Sequence, residues 1–339
     1  MLNPTLKLKS TKGSFRKDLT AYLIISPWLL GFFGLVIGPM IASLYFSFTN
    51  YDMLSSASWV GLENYKNVLL NDPRFIQSLK VTLIFVFVST PLKLVFALLL
   101  AMLFNTGRKG TGLFTTIYYI PSIIGGSVAI AVVWRQLFGR EGAINTLFAS
   151  VGLDGINWLG NPTYALTILI ILVVWQFGSP LIIFLAGLRQ IPVELYEAAS
   201  VMGASSFTRF FRITLPMLTP VIFFNLIMQT IGAFMTFTQA FLITKGGPMD
   251  GTNFYALYLY EMAFEYLRMG YASAMAWILL IIIGVITLIL FATSKYWVHY
   301  EGETDEETDH SGGYYLLCLC CLVCVCDAVP NLVDAGKLA

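Results

Sequence analysis

Six apolar runs, each roughly twenty residues or longer and almost free of charge, decide what this chain can fold into. They cover about Ala21–Phe48, Leu79–Phe104, Phe114–Leu137, Tyr164–Leu188, Pro216–Thr244 and Ala272–Thr293. In hydrocarbon a backbone must satisfy its own N–H and C=O groups, so runs of this length and apolarity are read as helices that cross a bilayer. The expected fold is all-α, a polytopic membrane protein with about six transmembrane helices. Of 339 residues 57% are hydrophobic and 12% charged, which excludes an ordinary soluble domain.

Residues 1–20 form a polar, basic segment with Lys7, Lys9, Lys12, Arg16 and Lys17. The apolar run behind it is too long for the core of a signal peptide and ends in no small-residue cleavage site, so an uncleaved first span is expected. That places the N-terminus in the cytoplasm, and six crossings return the chain to the same side. The basic residues agree with this orientation. Arg108, Lys109, Arg189, Arg209, Arg212 and Lys295 join the N-terminal five on the inner side, against Lys66, Arg74, Lys80, Arg140, Lys245 and Arg268 outside.

The longest polar interruption on the inner side runs from Pro192 to Pro220. Pro192 suits the first turn of a helix, and Glu194 and Glu197 put negative charge near its positive end. Ala198 and Ala199 extend that helix with almost no side chain. Gly203 breaks or bends it, and Ser205 or Ser206 caps a second short helix carrying Arg209 and Arg212, with Phe207, Phe210 and Phe211 on its apolar side. Pro216 and Pro220 then open the fifth span, and on the residues alone the stretch reads equally as an ordinary amphipathic loop lying on the membrane surface.

The order Glu197, Ala198, Ala199, Gly203, Ala204, Phe210, Ile213, Leu215, Pro216 and Pro220 resembles the EAA loop of binding-protein-dependent ABC importer permeases. The resemblance covers about Ala21–Gly302. It implies that this loop, with Glu194 at its start, is a cytoplasmic coupling helix seated in a separate ATPase subunit. That ATPase, and not this chain, would bind ATP and Mg. The family usually has Asp before the glycine, where this chain has Met202, so any polar contact made by that Asp is missing. WVGLENYKN at Trp59–Asn67, YYIPS at Tyr118–Ser122, TKGGP at Thr244–Pro248 and GYASAMAW at Gly270–Trp277 look like the sugar-transporting branch. The implied partners are a second homologous permease, ATPase subunits on the cytoplasmic side, an extracytoplasmic solute-binding protein and a carbohydrate substrate, in a bacterial cytoplasmic membrane.

Three outer segments, about 49–78, 139–163 and 245–271, are long enough to meet another protein and look ordered. Trp59, Tyr65, Trp158, Tyr255, Tyr258 and Tyr260 suit the membrane interface, which is the plainer reading, and a docking surface for a binding protein is the alternative. For a substrate path, the fifth span holds Asn225, Gln229, Thr236 and Gln239 within an arc of about 80° on a continuous helix, with Gly232 in the same arc. Amides and a hydroxyl beside Phe234, Phe237 and Phe241 suit a polyol, although the same groups also join helices to one another. Trp175, Gln176 and Tyr119 are weaker candidates, and Tyr118 is of the same kind.

Lys93 is the one strongly ionic residue deep in an expected span, and no acid lies at that depth to pair with it. A structural role, by snorkelling or by binding carbonyls freed near Pro91, is therefore favoured over an ion relay. Gly125, Gly126 and Ser127 point to close helix packing more than to a hinge. Residues 301–339 differ from the rest: six acids fall in 301–309, and all five cysteines in Cys318–Cys326. The resemblance stops before this tail, which reads as foreign to the fold.

No phosphate-cradling GxxxxGK[ST] loop, paired carboxylates, nucleophile constellation or metal-ligand pattern is present. Nor is there a basic stripe for nucleic acid. The expectation is a transport subunit without catalytic residues, metal or cofactor of its own, importing a carbohydrate at the expense of ATP hydrolysed elsewhere. The competing classes are an ion-coupled secondary transporter, which needs intramembrane acids or unwound half-helices, and an importer subunit for a non-sugar solute.

Overall fold

The structure, a computed structural model, describes residues 15–105 and 110–299. Lys7, Lys9, Lys12, Arg108, Lys109 and the acidic, cysteine-rich tail with His310 lie outside the described residues. The chain separates into two units, divided between Tyr45 and Phe46.

From the first unit α1 (Phe15–Gly31) continues through a π-helical turn (Phe32–Ile37) into α2 (Gly38–Ser47), whose last two residues belong to the second, giving a first span over Tyr22–Ser47. The widened turn lies between Gly31 and Gly38, and Trp28 stacks on Phe32 with ring centroids 5.2 Å apart.

The second unit opens with a two-stranded hairpin, β1 (Thr49–Asn50) antiparallel to β2 (Ser58–Trp59) with Thr49 opposite Trp59, followed by α3 (Glu63–Leu70). Asn64 is buried and donates from Nδ2 to the carbonyls of Ser47 and Thr49, both at 2.9 Å. The second span, α4 (Pro73–Phe104), begins six residues before the expected Leu79. Asp72 causes the early start: its Oδ1 accepts from the N–H groups of Arg74 and Phe75, and Pro73 occupies the first turn, where no N–H is needed.

The next three crossings are bent pairs. α5 (Thr111–Ile124) and α6 (Val128–Leu137) meet at 96°, and α8 (Pro162–Trp175) and α9 (Gly178–Gln190) at 42°. The segment from α11 (Ser206–Arg209) through a π-helical turn to α12 (Leu215–Met217) meets α13 (Thr219–Phe234) at 63°. Between them stand α7 (Ala143–Ser150), after the third crossing, and α10 (Val193–Val201), after the fourth. After α13 come a π-helical turn (Ala240–Thr244), α14 (Tyr255–Tyr260), another such turn (Glu261–Glu265) and the last span, α15 (Met269–Ser294). Among the described residues, three helices long and apolar enough to cross a membrane and three bent pairs that pass the same test together give up to six crossings of an all-α fold.

Two expectations are corrected here. The third run is not one straight helix: the chain turns by 96° at Gly125–Ser127, while the close packing expected there is present at Gly125, where an added Cβ would stand 2.4 Å from the Gln176 side chain. The fifth run is not continuous to Thr244, because α13 ends at Phe234 and Met235–Phe237 are non-helical. A 100° step therefore does not carry the polar arc from Gln229 to Thr236 and Gln239.

The hub is α4, which packs against α8, α9, α13 and α14. One apolar cluster gathers Phe85, Leu172, Phe234, Phe254 and Met275, and a second gathers Leu94, Ala97, Leu181, Phe184 and Leu218. On α4 the buried hydroxyls Ser89 and Thr90 fall between the residues of the two clusters. Tyr255 and Tyr258 belong to the first cluster at 0% and 2% exposure, which overturns their assignment to the membrane interface. Their hydroxyls find partners inside the protein, so the rings have no need of the headgroup region.

Candidate functional site

The Pro192–Pro220 loop folds as helix, bend, helix. Pro192 stands just before α10, and Gly203 ends the approach with φ +75°, a left-handed conformation that a side chain resists. Ser205 is the cap of α11, its Oγ accepting from Thr208 N–H at 3.2 Å. The loop is pinned at its base: Tyr196 Oη and Thr214 Oγ1 lie 2.8 Å apart, and Ala199 is buried. Arg209 donates to Ser200 Oγ at 3.0 Å and Ser206 Oγ at 3.2 Å, tying the second helix to the first.

What the loop leaves uncovered is apolar and acidic. Glu194, Glu197 and Ala198 are exposed, and so are Val201, Met202 (80%) and Phe207. Ala204, Phe210, Leu215 and Pro216 are half-buried toward the membrane body. Val201, Met202 and Phe207 thus form an exposed apolar cluster at one bend, beside the acids of α10. Behind them the chain after the last span returns to the same end, where His299 N–H donates to Thr219 Oγ1 at 2.9 Å and Trp297 packs on Phe223.

The path candidates fall into two groups. At the breaks of the third and fourth crossings, Ser122 Oγ donates to the Gln176 carbonyl at 2.9 Å and accepts from Ser179 N–H at 3.1 Å. Gln176 Nε2 reaches back to the Gly125 carbonyl at 3.3 Å. Each break is thus satisfied by the other span, as bilayer burial demands. Gln176 spends its amide N–H on this joint, Trp175 packs on Trp134 at 5.4 Å, and half-buried Tyr119 lies where Gly178 crosses α5. In the fifth crossing Asn225 is fully buried and donates to the Val221 carbonyl at 3.1 Å, while its Oδ1 has no partner among the described residues. Gln229 is half-buried on α13; Thr236 lies in the interruption, its Oγ1 3.4 Å from the Gly232 carbonyl; Gln239 immediately precedes the π-helical turn. Lys93 is half-buried on α4 and makes no ion pair or carbonyl contact within the described residues, so the anchoring near Pro91 is not formed.

At the opposite end from the loop lies a polar network that no local pattern announces. Asp72 Oδ2 accepts from Tyr258 Oη at 2.6 Å and from Tyr271 Oη at 2.5 Å, while its Oδ1 caps α4. Arg74 grips Asp250 through two nitrogens at 2.9 and 3.2 Å and reaches Glu261 at 3.3 Å. Hydrogen bonding to Arg74 holds the Asp250 carboxyl below the usual range, whereas burial pushes Glu261 up. The TKGGP turn and α14 are thereby fastened to the start of α4. The Asp72–Pro73 pair was a readable helix start, but partners 176 to 199 positions away were not.

Residues 68–297 match the family described as binding-protein-dependent transport system inner membrane component. The chain is 56% identical over 296 residues to the probable ABC transporter permease protein YesP of Bacillus subtilis, covering 86% of this chain and 96% of that protein. It is 31% identical over 286 residues to the lactose transport system permease protein LacF of Rhizobium radiobacter, covering 82% and 95%. Among solved structures, a bacterial ABC transporter involved in the import of the acidic polysaccharide alginate superposes with a TM-score of 0.74 at 25% identity, covering 83% of this chain and 96% of the other. The chain belongs to the binding-protein-dependent transport system inner membrane components, the permeases of ABC importers.

Proposed function

We propose that this permease imports a carbohydrate across the bacterial cytoplasmic membrane, driven by ATP hydrolysis in separate ATPase subunits. The observation that carries the coupling half is the loop: an acidic, apolar helix and bend, pinned at its base and bare at its tip. The sugar half is supported by relatives named for carbohydrates, lactose and alginate. Residues 21–300 form the transport domain in this reading, both chain ends face the cytoplasm, and the tail after residue 300 takes no part.

The partners are a second, homologous permease around a shared pathway, two ATPases beneath, and a solute-binding protein on the outer segments. ATP and its Mg belong to the ATPases. Nucleotide-driven closure carries Glu194, Glu197, Ala198 and Ala199 inward, Gly203 and Ala204 pass the movement to the Phe210–Pro216 segment, and the bent crossings open outward. Substrate released from the binding protein then meets Gln229, Thr236 and Gln239 in the interrupted fifth crossing, with Asn225 deeper and Tyr119, Trp175 and Gln176 at the neighbouring breaks. Hydrolysis resets the inward-facing state.

The test is ATP hydrolysis by the assembled importer in proteoliposomes with its binding protein and a panel of oligosaccharides, amino acids and inorganic ions. Stimulation of severalfold or more by one carbohydrate is expected. Stimulation by a non-carbohydrate solute alone, or by an ion gradient without ATP, defeats the reading.

A further inference from the structure

A cavity of about 830 Å³ opens where α6 packs against the 240–244 turn, on the side of the TKGGP segment. Its lining brings together Arg135, Arg140 and Lys245 with a single carboxylate, Glu141. Arg74 shows how this chain treats a structural cation, pairing it with both Asp250 and Glu261. The three cations at the cavity are treated otherwise: their side chains make no ion pair or hydrogen bond within the described residues. Three like charges around one hollow repel one another, and an anion between them removes that repulsion.

The rest of the wall suits a sugar. Phe241 lines the cavity and is held flat by stacking on Phe237, with centroids 5.3 Å apart and planes 15° from parallel, and by Tyr260 against its edge. An apolar plane of this kind accepts a pyranose face, Gln136 offers an amide to hydroxyls, and an arginine fork meets a carboxylate with two parallel bonds. We propose that the imported carbohydrate is acidic, a uronate-bearing oligosaccharide whose carboxylate is received by Arg135, Arg140 and Lys245 on entry. This rests on the carbohydrate reading above and names the substrate class within it.

The importer with its ATPase and binding subunits is reconstituted in phosphatidylcholine vesicles, with and without phosphatidylglycerol. Uptake is followed for oligogalacturonates, their methyl esters and neutral malto-oligosaccharides, each at saturating binding protein whose affinity for each ligand is measured separately. The expected result is uptake of the free acid, at least tenfold less for the ester, and at least tenfold loss of acid uptake in Arg135→Gln/Arg140→Gln with partial recovery in Arg135→Lys/Arg140→Lys. Transport of neutral sugar without the acid overturns the acidic class and leaves the carbohydrate reading standing, whereas uptake of no carbohydrate overturns both. Equal loss for neutral and acidic sugars together with lost capture of the binding protein makes the cations a docking surface. Dependence on phosphatidylglycerol and not on substrate charge makes them a lipid site. Either result overturns the inference.

Discussion

Replacing Glu197 by lysine is expected to leave insertion and assembly of the membrane subunit intact while lowering substrate-stimulated ATP hydrolysis at least tenfold. The side chain is exposed on α10 and makes no ion pair among the described residues, so its loss costs the isolated fold little. At a partner's surface the balance reverses. A charge of the wrong sign placed against groups that receive a carboxylate costs about 2–5 kcal/mol when desolvated, and 1.4 kcal/mol is already a factor of ten. The check is ATPase activity with saturating substrate and binding protein, alongside co-purification of the ATPase. Undiminished stimulation would mean that Glu197 takes no part in coupling.

Gly270→Val is expected to act at the other end of the molecule and through the fold itself. A Cβ at Gly270 would stand 2.0 Å from the Thr49 carbonyl oxygen and 3.1 Å from both the Phe46 oxygen and the Tyr51 nitrogen. All three are backbone atoms, so no rotamer change relieves the clash. The Gly270 N–H also donates to the Tyr51 carbonyl at 2.9 Å, fixing the last span against the hairpin. Overpacking that displaces backbone on both sides costs about 3 kcal/mol or more, a large share of the roughly 5–15 kcal/mol that holds a typical protein folded. Gly284, on the same helix with nothing within 4 Å of its added Cβ, supplies the contrast. Gly284→Ala should match the parent within about 0.5 kcal/mol or exceed it. Thermal midpoints and yields in detergent distinguish the two, and equal behaviour would show that the Gly270 contact does not hold the hairpin.

The six crossings were legible because hydropathy integrates over twenty residues, and a single misplaced side chain cannot hide such a signal. The helix–bend–helix of the Pro192–Pro220 loop was legible for another reason: Pro192 and Gly203 act through their own backbone, and Ser205 caps an N–H only three residues on, so none needs a distant partner. What escaped depended on partners remote in sequence. The 96° turn at Gly125–Ser127 exists because Ser122, Gln176 and Ser179 settle one another's backbone groups across two spans. Tyr255 and Tyr258 look like interface aromatics in isolation, and only Met275 and Asp72 make them core residues. The polar arc of the fifth span assumed a helix that ends at Phe234, so Thr236 and Gln239 are placed by the interruption and not by periodicity. The cavity cations were invisible for the same reason, since nothing local brings Lys245 to Arg135.

Site-specific cross-linking tests the coupling claim most directly. Residues 1–317 contain no cysteine, so replacing the five in Cys318–Cys326 by serine leaves a clean background. A single cysteine at exposed Met202 in the loop, or at exposed Ser55 between β1 and β2, is treated with a short thiol-to-amine cross-linker in the assembled importer. Met202→Cys should yield an adduct with the ATPase subunit whose amount changes on adding ATP, and Ser55→Cys should yield none. An ATPase adduct from Ser55, or none from Met202 in a complex that still co-purifies, would contradict the placement of this loop as the contact through which ATP drives transport.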